Sequence, residues 1–67
     1  MQIVLDEKLQ KILSMVAQAY TYKEIAPEVG YSVIQVKRKV KHLCGLYNVK
    51  NKIELALEYQ AELLANN

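Results

Sequence analysis

A chain of 67 residues has room for one domain, and folding buries only about 60% of the surface its extended form exposes, so stability is expected to be marginal. Hydrophobic residues at 52% and charged residues at 24% exclude a disordered chain; with two glycines, one proline and no apolar alternation they point to an all-α fold. A net charge of +2 is too small to name a partner, one cysteine excludes an internal disulfide, and no segment reaches the roughly 18 to 20 apolar residues of a membrane span. The opening Met1-Gln2-Ile3-Val4-Leu5-Asp6 lacks the basic start and apolar run of a secretion signal. A reducing, cytoplasmic setting is therefore expected, with no membrane, cofactor or small-molecule ligand.

In chain order, Asp6 is suited to cap a first helix over 7–19, in which Leu9, Ile12, Leu13, Val16 and Tyr20 recur on one face. Met15 and Ala19 lie off that stripe and read as packing filler. Thr21-Tyr22-Lys23-Glu24 has the spacing of a capping box and predicts a second helix over 22–29, with Ile25, Ala26 and Val29 turned inward. Inside it, Pro27 lacks the amide that would bond back to Lys23. Proline costs roughly 3 kcal/mol in a helix interior, so a kink or a shortened helix is expected.

Gly30-Tyr31 reads as a turn, and Ser32-Val33-Ile34-Gln35 as a second capping box opening a third helix over 33–46. There Val36, Val40, Leu43 and Tyr47 stay within one narrow stripe at about 100° per residue, which assigns them to the core. Opposite lie Ile34, Arg38 and Lys41, flanked by Gln35 and His42 on one side and Lys37 on the other. Ile34 then either packs at the edge of the turn or meets a thymine methyl.

Charge is segregated along the chain. No acidic residue occurs between positions 29 and 53, where Lys37, Arg38, Lys39, Lys41, Lys50 and Lys52 all fall, while every acid lies outside that interval. Such polarity presents one basic face to a polyanion, although a solvated helix face reads the same way.

Gly45 falls in or just past the end of the third helix, Asn48 suits a left-handed turn, and residues 47–52 lead into a fourth helix over 52–64. That helix has two apolar edges: Ile53, Ala56, Leu57 and Leu64 on one, Leu55, Tyr59 and Leu63 on the other. One edge must face the core. Leu55, Tyr59 and Leu63 are assigned to the second role, a surface for a partner.

Catalysis is not expected, because no constellation for it is present. His42 and Cys44 are two apart on a helix and point in different directions, and neither a glycine-rich phosphate loop nor metal-ligand spacing occurs. His42 reads as part of the basic face and Cys44 as a small, partly buried hydrophobe.

Lys23-Glu24-Ile25-Ala26, then Gly30 and Ser32, then Val36-Lys37, and finally Val49-Lys50-Asn51-Lys52 with Glu54-Leu55-Ala56, resemble the LuxR/GerE-type helix-turn-helix of bacterial transcription regulators. The resemblance spans about residues 5 to 56. It implies a four-helix, helix-turn-helix domain whose third helix enters the major groove of double-stranded DNA and whose fourth pairs with its twin in a homodimer. By the same resemblance, Lys37, Arg38 and Lys41 read bases, while Tyr22, Lys23, Lys50, Asn51 and Lys52 touch phosphate. The residues themselves add Ile34 as a base contact, Gln35 as one if it is released from its cap, and Lys39 and His42 as flanking residues for phosphate. The chain departs from the family at Lys8-Leu9-Gln10-Lys11, where an acidic motif is usual, and at Gln35, Lys39 and Leu46, which stand for threonine, histidine and lysine. A different class of function is a protein-interaction module that binds and antagonises another transcription regulator through the fourth helix.

Overall fold

The computed structural model describes residues 4–65. They form four helices and, among the described residues, no strand: α1 (Glu7–Ala17), α2 (Tyr22–Val29), α3 (Val33–Tyr47) and α4 (Lys52–Ala65). No helix among these residues is long and apolar enough to cross a membrane.

Each helix opens on a side-chain oxygen that takes up an amide which the first turn leaves without a partner. Leu9 N–H donates to Asp6 Oδ1 at 2.8 Å. Thr21 and Ser32 form complete capping boxes. Glu24 N–H donates to Thr21 Oγ1 at 3.2 Å while Thr21 N–H donates to Glu24 Oε1 at 2.9 Å. Gln35 N–H donates to Ser32 Oγ at 3.1 Å while Ser32 N–H donates to Gln35 Oε1 at 2.8 Å. At the fourth start Asn51 Oδ1 accepts Glu54 N–H at 2.9 Å, and the Glu54 carboxylate accepts Lys50 N–H at 2.9 Å, a cap that sequence reading missed.

Three helices also end alike, with one residue in the left-handed region and the next amide reaching back five residues. Gly30 (φ 72°) is followed by Tyr31 N–H donating to the Ala26 carbonyl at 3.0 Å, and Asn48 (φ 56°) by Val49 N–H donating to that of Cys44 at 3.0 Å. At the end of α1 the left-handed residue is Ala19 (φ 66°), with Tyr20 N–H on the Met15 carbonyl at 3.1 Å. That ending stops α1 at Ala17 rather than at residue 19 and takes Tyr20 out of the helical stripe. Tyr20 is accordingly 38% exposed instead of buried.

Pro27 does not end α2, which continues through it to Val29. Burial of Ile25, Ala26 and Val29 outweighs one missing amide. Gly45 lies inside α3, which runs to Tyr47.

The core joins Ile12, Leu13 and Val16 of α1, Ile25 and Val29 of α2, and Val36, Val40 and Leu43 of α3. Met15 and Cys44 belong to it as well, and Tyr47 packs against it from a half-buried position. From α4 the core takes Leu55, which is fully buried, with Tyr59 packed beside it. This reverses the expectation that Leu55, Tyr59 and Leu63 form the open edge. The exposed edge is Ile53 (73%), Leu57 (62%) and Leu64 (74%), which share one stripe roughly 180° from Leu55 at 100° per residue. Leu63, at 49%, borders solvent without joining Leu55. Two equal edges on opposite sides of a helix leave hydropathy symmetric, so the rotation is set elsewhere. The turn at Asn48, the Asn51 cap, and a hydrogen bond from Gln60 Nε2 to the Ala17 carbonyl at 3.1 Å hold α4 with Leu55 inward.

Candidate nucleic-acid interface

The outer face of α3 exists because its inner face is spoken for. With Val36, Val40, Leu43 and Cys44 buried, the helical period turns Lys37, Arg38 and Lys41 to solvent, and all three are exposed. They do not act as one cluster. Lys37 and Lys41 line a cleft with Tyr22 of α2 and with Lys50, Asn51 and Lys52 of the loop into α4, and Val40 and Cys44 form its floor. Arg38 lines a second cleft with Gln35, Lys39 and His42.

Tyr22 organises the first cleft. Its ring lies under two ammonium groups, with Lys52 Nζ at 4.5 Å and Lys37 Nζ at 5.9 Å from the centroid. Such contacts contribute about 0.5–1 kcal/mol at exposed sites, so the lysine heads are biased toward the ring but not fixed. Burial pushes the Tyr22 hydroxyl above its ordinary pKa, and neighbouring Cys44 adds to the rise. The Cys44 thiol is also pushed up, by burial first and then by the Glu54 carboxylate, which keeps it protonated and a poor nucleophile.

A second aromatic carries two further cations. Tyr31, directly after the Gly30 turn, has Lys8 Nζ at 4.7 Å and Lys39 Nζ at 5.7 Å from its ring centroid. Lys39 is therefore half-buried and swung toward α1. Lys8 did not emerge from the sequence, because nothing local in it signals that the first helix meets the turn after the second.

The remaining candidates divide. Ile34 is 63% exposed, so it does not pack at the edge of the turn. Gln35 does not read as a two-point adenine contact, because its Oε1 already accepts the Ser32 amide at 2.8 Å. Asn51 Oδ1 is likewise used by the cap, leaving its Nδ2 as a donor. Lys23 is exposed and lines neither cleft.

Among the described residues one ion pair forms, between Lys11 and Glu28 at 3.8 Å across α1 and α2, and it involves none of these cations. The arrangement is thus two groups of ammonium ions drawn to the Tyr22 and Tyr31 rings, with the Arg38 guanidinium in the cleft beside Lys39, suited to holding a polyanion. His42 and Cys44 open into different clefts and do not meet. Comparison of the chain with protein-family models, with curated proteins and with solved structures returned no match.

Proposed function

We propose that this protein is a sequence-specific, DNA-binding transcription regulator with a helix-turn-helix of the LuxR/GerE type, working in a bacterial cytoplasm as a homodimer through α4. The observation that carries the reading is the exposed cationic face of α3, set behind a glycine turn whose two flanking helices both begin with complete capping boxes. In this reading α2 and the turn rest against the backbone while α3 enters the major groove. The Arg38 fork reads the O6 and N7 of a guanine, and the lysines supply the salt-sensitive attraction shared by all sequences.

The homodimer rests on Ile53, Leu57 and Leu64, an apolar edge that a small domain has no internal use for. Two copies joined there would address half-sites about 34 Å apart. The same edge also favours a second reading, in which α4 grips another regulator and blocks it.

Selection of bound sequences from a random duplex pool tests the first reading. Enrichment of a two-fold-symmetric site is expected, and Arg38→Ala should cost about 1 to 3 kcal/mol and relax preference at one base position. A pool with no enrichment, together with a chain that does not co-sediment with duplex at low salt, would leave the interaction module as the better account.

A further inference from the structure

We infer that the cations of α3 divide their work: Lys37 and Lys41, together with Lys50 and Lys52, hold successive phosphates of the duplex backbone along the Tyr22 cleft, and base discrimination is left to Arg38 and Ile34. The inference rests on the DNA-binding reading and differs from the family expectation, in which Lys37 and Lys41 read bases alongside Arg38.

Geometry makes the division. Lys37 and Lys41 are four residues apart, so they project side by side from α3, toward Tyr22 and the loop before α4. Arg38 opens instead into the cleft shared with Gln35, Lys39 and His42. No acidic residue lines the Tyr22 cleft, and the nearby Glu54 carboxylate is engaged by the Lys50 amide at 2.9 Å. Four ammonium groups around one cleft repel one another, and an anion seated among them turns that repulsion into attraction. The Asn51 Nδ2, its own carbonyl committed to the cap, is the neutral donor available at the rim.

Chemistry points the same way. An ammonium is a compact point charge that accepts a phosphate from any direction, whereas a guanidinium presents a planar fork matched to the two acceptors of a guanine edge. Arg38 is the single arginine of the chain, and the two carboxamides of the basic face, Gln35 and Asn51, have their oxygens engaged by the Ser32 and Glu54 amides. The Lys37 head, drawn toward the Tyr22 ring, lies at the side of α3, where a backbone passes, while Ile34 and Arg38 stand on its outermost line and Lys41 bridges the two through the cleft that it shares with Tyr22.

The test is a set of binding titrations on a panel of duplexes differing by one base pair, each repeated across a range of salt. Lys37→Gln and Lys41→Gln, made singly, should weaken every duplex by the same factor and leave the preferred bases unchanged. Each should also lower the slope of log K against log salt by about 0.9. Arg38→Ala should instead flatten the preference at one position. Thermal melts of the two glutamine variants establish that they remain folded. If either variant changes the preferred base at any position, or leaves the salt slope intact while the unmodified chain binds duplex, the division is wrong and the DNA-binding reading survives. An unmodified chain with no salt-sensitive duplex affinity overturns both.

Discussion

At φ 66° Ala19 occupies the left-handed region, where the Cβ of an L-residue crowds the following carbonyl at a cost of roughly 1–2 kcal/mol. The equivalent turns at the ends of α2 and α3 are made by Gly30 and Asn48, residues that take this conformation readily. Ala19→Gly is therefore expected to stabilise the fold by about 0.5–1 kcal/mol, once the greater freedom of glycine in the unfolded chain is subtracted. A raised urea midpoint with an unchanged slope would show it; an unmoved or lowered midpoint would mean that the turn is not strained. Glu24 makes a second statement at this scale. The Thr21 amide and hydroxyl hold its carboxyl below the ordinary carboxylate range. A lowered native value means that the stabilisation is complete above the usual range and is lost as pH falls through the native value. Glu24→Gln keeps an acceptor for the Thr21 amide without titrating, so its acid-unfolding profile should be shallower than that of the unmodified chain, and superimposable profiles would exclude the linkage.

Among the elements, α4 is the one whose role changed most between sequence and structure. Its caps and turns are local chemistry, and most such features were legible: Asp6, Thr21, Ser32, Gly30 and Asn48 all act as their side chains suggest. Asn51 was legible as a cap too, since Asn51-Lys52-Ile53-Glu54 keeps the box spacing, and it was missed; what the structure adds is that Glu54 returns to the Lys50 amide rather than to that of Asn51. The orientation of α4 was beyond local reading altogether, since both its edges are apolar. Leu55, fully buried, should cost about 2–5 kcal/mol when cut to alanine, a large part of what a domain this small has. The expected result of Leu55→Ala is a chain largely unfolded by circular dichroism at 37 °C or with a sharply lowered melting point. Wild-type stability in that variant would contradict its place in the core.

For the molecule as a whole, the open edge of Ile53, Leu57 and Leu64 links stability to assembly. A homodimer that forms there is stabilised by mass action, so its melting temperature rises with protein concentration. Leu57→Ser, at a position 62% exposed, should remove that dependence while changing the melting point of the dilute monomer by little. A melting point independent of concentration in the unmodified chain would count against the homodimer. The basic face follows the same logic of scale. Segregation of charge between positions 29 and 53 and the outward turn of Lys37, Arg38 and Lys41 were both legible, because linear charge and helical period are properties of the chain. That these cations open into two clefts was not, because Tyr22, Lys50 and Lys52 reach Lys37 and Lys41 only when α2 and the loop before α4 close around α3. The sequence by itself determined where the helices start, how α2 and α3 end and which face of α3 is charged, since caps, turns and period act over a few residues. Tertiary structure alone decided which edge of α4 is buried, that Lys8 and Lys39 share the Tyr31 ring, and which lysines stand together, because each depends on how separate helices are rotated against one another.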